Sequence, residues 1–413
     1  MVDLLKGVRI VSFTHFLFGP MGLQILADLG ADVIAIEPLR GSWQRGWGGA
    51  DNKMVDGQSV LFLSVDRNKR SIAIDLKSPK GLEIARRIIA SADVVATNYR
   101  PGVLDKLGLS YEVLKKENPS LIYGAATGYG PDGPYVNRPG QDLLVQAMSG
   151  LATITGTTET GPRPVGVSAV DHHGAALLAL GILVALFRRT LTGQGCRVDV
   201  SLLSAAIDLQ METLTCYLNG PRPESTVPPK WIAGWHYAAP HGIYATTDGH
   251  LAISMASLKS LGEALSSPDV SAYDEADSYV KREEIAACVA KVLATKSTAE
   301  WSPILNLHNI WHTPVNDYAA VADDPQVHHN SCFVTIPGAT GTPIRLVAHP
   351  IRYDGEAAHI RLPPQPLGAQ TEEILKEAGY SDAEIADLER EGIVYCHHPG
   401  RPKQPSQKVK RKR

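Results

Sequence analysis

The residue with the clearest chemical potential is Asp171, in the segment Val170-Asp171-His172-His173-Gly174 just before an apolar stretch, 174–187, that stops at Arg188-Arg189. The stretch has the length and Gly/Ala/Leu content of a buried helix, which leaves two uses for an aspartate at its start. As an N-cap it accepts a backbone N–H and complements the helix dipole. As a nucleophile, its carboxylate attacks an activated acyl group to form a covalent intermediate, and the helix terminus stabilises the developing oxyanion. Either use predicts an ionised side chain at neutral pH, because exposed backbone donors favour the charged form.

A second constellation is basic. Asn68-Lys69-Arg70-Ser71, Lys77, Asn98-Tyr99-Arg100-Pro101-Gly102, Lys106 and Arg138 fall near predicted strand ends or in the loops that follow. Each alone reads as solvated surface. Together they read as a rim for a phosphorylated ligand, with Tyr99 free to stack on a base. The pairs His172-His173, His328-His329 and His397-His398 point to no metal, since adjacent histidines diverge and no carboxylate-rich spacing accompanies them.

The elements that must position these groups alternate. Residues 7–13 predict a strand, 21–29 a helix ended by Gly30, and 32–37 a second strand, a connection that implies parallel strands and a right-handed crossover. Strands at 71–75, 93–98 and 121–126 follow, with helices at 79–90 and within 101–117. That pattern is a Rossmann-like doubly wound α/β sheet, which binds ligands at its strands' carboxyl ends. After the first strand stands Thr14-His15-Phe16-Leu17-Phe18-Gly19-Pro20 rather than G-x-G-x-x-G, and no G-x-x-x-x-G-K-[ST] occurs, so neither dinucleotide binding nor nucleotide triphosphate hydrolysis is indicated.

A strand at 197–200 lies between two helical stretches within 172–219, and the Pro-rich segment 221–235 reads as a linker. Beyond it a hairpin over 242–254 turns at Asp248-Gly249, and helices at 257–265, 280–295 and 298–308 complete a smaller α+β domain. Strands at 333–336 and 343–348 and helices at 369–378 and 382–391 follow, the last with the capping box Ser381-Asp382-Ala383-Glu384. The predicted domains are 1–220 and 326–395 for the large one, 225–325 for the small one and 396–413 for a basic disordered tail.

Composition narrows the setting. With 413 residues, 44% apolar and 20% charged, the chain reads as globular with two domains. Five scattered cysteines (196, 216, 288, 332, 396) fit a reducing compartment, and no leader is apparent, so a cytoplasmic location is expected. No run reaches the ~18 apolar residues of a membrane span. Residues 401–413 hold seven basic side chains and no acidic one; with −3 overall, the remainder carries −10, and nucleic acid is not expected in the catalytic role.

Ordered landmarks give the chain a family likeness: Gly7-Val8-Arg9-Ile10, Gly19-Pro20, Leu26-Ala27-Asp28-Leu29-Gly30-Ala31-Asp32-Val33-Ile34, Asn68-Lys69-Arg70-Ser71-Ile72, Asn98-Tyr99-Arg100-Pro101-Gly102, Gly128-Tyr129-Gly130-Pro131-Asp132-Gly133-Pro134, Thr192-Gly193-Gln194-Gly195 and Leu367-Gly368-Ala369-Gln370-Thr371-Glu372-Glu373-Ile374-Leu375. From Leu5 to about Val394 the sequence resembles the family III coenzyme A transferases (CaiB/BaiF), which include formyl-CoA:oxalate and carnitine CoA-transferases. The resemblance implies that Asp171 is the nucleophile, working through an aspartyl anhydride and an aspartyl-CoA thioester to move CoA from an acyl-CoA to a carboxylic acid. It implies coenzyme A as co-substrate with no tightly bound cofactor, and an interlocked homodimer. The CoA-contacting positions it carries over are Leu17, Phe18, Ile74, Asp75, Leu76, Lys77, Asn98, Tyr99, Arg100, Lys106 and Arg138. Asp142, beside Gln141, matches an acidic position of the active site and takes a supporting role.

Departures from the pattern are Ala35 where the family often has lysine, Gly41-Ser42 for its Gly-Asp, and the bulky Leu17-Phe18 before Gly19-Pro20. No glycine-rich lid of the oxalate enzymes is visible, so oxalate is not the expected acceptor. An α-methylacyl-CoA racemase shares the likeness, but it needs a base on each face of Cα, and Gln141 stands where its histidine would. His172 could substitute for that histidine. A non-catalytic CoA-ester binding protein is the remaining alternative, and the intact Asp171 segment argues against it.

Overall fold

In the computed structural model, residues 2–47, 49, 51, 53–220, 222–338 and 340–398 are described. The basic segment 401–413 lies outside them. The described residues group into two compact units, one within Met1–Asp142, Ala169–Ala205 and His328–Arg413, the other Leu143–Ser168 and Ala206–Val327. The second unit therefore takes in 143–168 and 206–220 besides the expected 225–325.

The first unit is built on a seven-stranded sheet. Its strands are β1 (Arg9–Phe13), β2 (Asp32–Glu37), β3 (Lys69–Ile74), β4 (Val94–Thr97), β5 (Ile122–Thr127), β6 (Arg197–Ser201) and β7 (Val394–Tyr395), in the order β7-β3-β2-β1-β4-β5-β6. All neighbours are parallel except β7, which runs antiparallel to β3. The central strands β1, β4 and β5 are buried on both faces along almost their whole length, as a sheet covered on both sides requires. Val11, Phe13, Ile34, Ile36, Ile72 and Ile74 pack with the helix α2 (Pro79–Ile89) in one core. The strand order reverses between β1 and β4, and that switch point is where an open α/β sheet presents its ligand crevice.

Two further helices matter for the site. Helix α1 (Phe18–Asp28) connects β1 to β2, and α4 (Ala169–Thr192) leads into β6; between them in sequence, α3 (Asp142–Met148) follows the loop after β5. Helices α1 and α4 pack closely because small residues line the crossing: a Cβ on Gly22 would lie 2.9 Å from the Ala175 carbonyl oxygen. By length and composition alone, the 24-residue α4 could cross a membrane, which the apolar run 174–187 did not reveal. Here one face, with Val170, Gly174, Ala175, Leu178, Ala179 and Ile182, is buried within the first unit, as in a core helix.

The second unit is α+β. Strands Gly242–Ala245, His250–Ile253 and His312–Pro314 form an antiparallel sheet, and helices Leu258–Ala264, Arg282–Leu293 and Thr298–Leu307 pack around Tyr244, Leu251, Val289 and Trp301. Asp248, in the hairpin turn, accepts hydrogen bonds from the Thr298 N–H (2.8 Å) and hydroxyl (3.1 Å), tying the turn to the start of a helix.

Candidate active site

Asp171 is not the helix cap. α4 begins at Ala169, so Asp171 lies inside its first turn. The capping acceptor comes from a distant part of the chain: Asp142 Oδ1 receives the N–H groups of Val170 (2.8 Å) and Asp171 (3.1 Å). A glycine pinch holds Asp142 there. Gly128, just after β5, meets Gly140 so closely that a Cβ on Gly128 would lie 2.8 Å from the Gly140 Cα. Two of the N–H groups at the start of α4 are thus committed to Asp142.

This arrangement leaves Asp171 less ionised at neutral pH than expected. Burial raises the Asp171 pKa and the neighbouring Asp142 charge raises it further, to about 7. The side chain is half-buried, and burial and the Asp142 charge act in the same direction on it. Such a carboxyl is about half ionised at neutral pH and more basic than a solvated aspartate, as a nucleophile or base requires.

The β1–α1 loop approaches α4 through Phe18. Its ring is buried against Gly174, one turn beyond Asp171, where a Cβ would come within 2.9 Å of the ring edge. The bulk at Phe18 is therefore matched by a missing side chain across the helix crossing. The same loop is stitched to the β4 end: Asn98 Oδ1 accepts the His15 N–H (2.9 Å), and Asn98 Nδ2 donates to the His15 carbonyl (2.6 Å). The His15 and Tyr99 rings lie 5.3 Å apart. Burial lowers the His15 pKa, and burial plus the charge of Glu37 raises that of Tyr99, so both rings are neutral near pH 7.

The expected CoA-contacting residues divide into groups. Phe18, Asn98 and Tyr99 lie around the β1–α1 loop as described, and Leu17 is the loop residue directly before α1. Tyr99 and Arg100 also line a cleft of about 160 Å3 with Thr97, Tyr111, Tyr123 and Arg197. Ile74 is buried in the core, so only its backbone can face a ligand. Asp75, Leu76 and Lys77 follow the carboxyl end of β3, with Leu76 packed on the core and Lys77 exposed. Lys106, Arg138 and Gln141 are exposed, and the Arg138 guanidinium sits 4.0 Å from the Tyr135 ring centre. A larger open hollow, about 490 Å3, runs along Gly368, Glu372, Lys376 and Cys396–His398 and contains none of these residues.

The rim expected from Asn68-Lys69-Arg70-Ser71 does not form. Lys69 is buried, donating to the carbonyls of Pro20 and Val65 (2.7 Å each) and to Asp66 (2.9 Å). Arg70 pairs with Asp32, Glu373 and Glu377. Asn68 donates to Asp28 and accepts the N–H groups of Arg361 and Leu362. The segment staples distant backbone together. His15, Arg197 and Gln44 were the residues that sequence reasoning missed. Gln44 is buried, accepts the Phe16 N–H (3.0 Å) and donates to Asp66 (3.1 Å), a set of partners without a local sequence signal.

The sequence profile of CoA-transferase family III matches residues 5–371. The chain belongs to that family. It is 33% identical over 403 residues to the succinyl-CoA:glutarate CoA-transferase of Mus musculus, covering 95% of this chain and 91% of that one. It is 32% identical over 352 residues to the acetyl-CoA:oxalate CoA-transferase of Acetobacter aceti, covering 82% and 88%. The crystal structure of a CaiB/BaiF family protein from Brucella suis superposes with a TM-score of 0.76 at 28% identity, over 91% of this chain and 99% of that one. The doubly wound sheet is thus the fold of family III CoA-transferases, with Asp171 beside its switch point.

Proposed function

We propose that this family III CoA-transferase moves CoA from an acyl-CoA to a carboxylic acid through a covalent intermediate on Asp171. The observation that carries this reading is the placement of Asp171, half-buried in the first turn of α4 beside Asp142, which raises its pKa. The Asp171 carboxylate attacks the thioester carbonyl; the C–S bond breaks, leaving a mixed anhydride and CoA thiolate. The thiolate attacks the aspartyl carbon, releasing the donor acid and forming an aspartyl-CoA thioester. The acceptor carboxylate attacks that carbon, expelling the thiolate and forming a second anhydride. The thiolate then takes the acceptor acyl group and regenerates Asp171. No net proton is consumed, so one carboxyl suffices.

Asn98, Tyr99, Arg100, Lys106 and Arg138 are the residues proposed to hold CoA, with the switch-point crevice taking the end nearer Asp171. A racemase reading finds less support, because the exposed amide of Gln141 exchanges no proton and leaves one face of Cα without a base. The outer face of α4, with Phe187 66% and Leu191 73% exposed, supports a homodimer. Relatives named for dicarboxylic acids make succinyl-CoA the first donor to test, against dicarboxylic and branched acids. Asp171→Asn is expected to abolish the formation of new CoA esters in that screen, and full turnover by this variant would refute the mechanism.

A further inference from the structure

The β1–α1 loop carries a backbone anomaly beside an unusual surface. Phe16 has φ +62, a left-handed conformation that a bulky side chain rarely adopts. It is held there by the buried amide of Gln44, which is anchored on Asp66, itself paired with Lys69. The effect is to turn the Phe16 ring outward onto Trp43, with centroids 5.1 Å apart and the rings stacked. Trp43 meets Trp47 edge-on at 6.3 Å. Both indoles lie largely in solvent, at 61% and 52% exposure. On the other side Phe16 meets His15 at 5.0 Å, and His15 meets Tyr99. Five rings thus form one continuous series from the CoA-contacting position Tyr99 to the exposed tryptophans, along the β1 loop that approaches Asp171 through Phe18.

Strained backbone held by a dedicated buried network marks a functional position, and two adjacent exposed tryptophans are apolar area left uncovered. Within the transferase reading above, on which this inference rests, we propose that Phe16, Trp43 and Trp47 form the wall that recognises the acyl group. The wall is built from three aromatic rings, so it favours CoA thioesters of flat or branched apolar acids over those of short dicarboxylic acids. His15, neutral and sandwiched between Phe16 and Tyr99, marks the boundary between acyl group and CoA.

The test compares phenylacetyl-CoA with succinyl-CoA as donors to a common acceptor. Wild type is expected to show the higher kcat/KM for phenylacetyl-CoA. Trp43→Ala should lower the ratio of the two kcat/KM values roughly tenfold, and Trp43→Phe, which keeps a ring, should restore most of it. Calorimetry of phenylacetyl-CoA and of free CoA with Asp171→Asn gives the same comparison without turnover, so failure of the nucleophile and failure of the wall are separable. An unchanged ratio in Trp43→Ala overturns the proposal. So does an equal loss for both donors with matching weakening of free CoA, which would place the wall on CoA itself.

Discussion

Glu37, at the end of β2, and Asp171, in the first turn of α4, are carboxyls withdrawn from water in the same unit, and their surroundings treat them oppositely. Burial pushes the Glu37 pKa up, but the Arg45 charge and hydrogen bonds from Arg45 (2.6 Å), the Ser71 hydroxyl (2.7 Å) and the Ser42 N–H (3.0 Å) bring it below the ordinary value. Asp171 meets burial and a second carboxylate, and rises to about 7. The first carboxyl stabilises the fold, because its charge is fully paired. The second is left costly in its ionised form, which is the condition for reactivity. The two therefore shift stability in opposite directions with pH. Glu37 contributes stability above its unfolded pKa that is lost as pH falls through its lowered folded value. Asp171 binds a proton more tightly folded than unfolded, so it lowers stability as pH rises from about 4 to about 7.

Glu37→Gln should break this comparison most severely. It leaves Arg45 without its charge partner in a buried site, and a loss of about 3–5 kcal/mol is expected in chemical denaturation at pH 7. Asp171→Asn should do the reverse. Removing the penalty of an ionised buried carboxyl is expected to raise stability by about 2–4 kcal/mol at pH 8, with a smaller gain at pH 5, read as the difference in melting temperature between the two pH values. A variant that gains stability while losing turnover separates a reactive carboxyl from a structural one.

The sequence made much of this legible. The order strand-helix-strand with β-branched runs located β1, β2, β4 and β5, and Ser381 with Glu384 forms the expected reciprocal cap. What it missed depends on partners far along the chain. The start of α4 is set by Asp142, 29 residues before Asp171, so the apolar run alone placed the helix start too late and made Asp171 its cap. Lys69 and Arg70 carry the composition of a phosphate rim, yet Asp66, Asp32 and Glu377 take their charges into the fold. β7 is two residues long, below any periodic signal, and only pairing with β3 defines it. Ser297 with Glu300 forms a capping box that the same motif would have revealed.

Smaller effects sharpen the contrast at Asp171. Gly174→Ala drives a methyl into the Phe18 ring, and a loss of about 1–3 kcal/mol with reduced turnover is expected, relieved by combination with Phe18→Leu. Asp142→Ala removes the acceptor of two first-turn N–H groups and should cost about 1 kcal/mol. Asp142→Asn keeps an acceptor but removes the charge, so the Asp171 pKa should fall and the acid limb of kcat/KM should move to lower pH. An acid limb unmoved by this change would remove Asp142 from the electrostatics of the site.

The most direct test is to trap the intermediate. The wild-type protein is incubated with succinyl-CoA and hydroxylamine, digested and mapped by mass spectrometry. A hydroxamate is expected on Asp171 that depends on the acyl-CoA, is absent from Asp171→Asn, and fades below about pH 7 as the carboxyl protonates. Transfer that continues with Asp171 unmodified, or a label on another carboxyl, would contradict it.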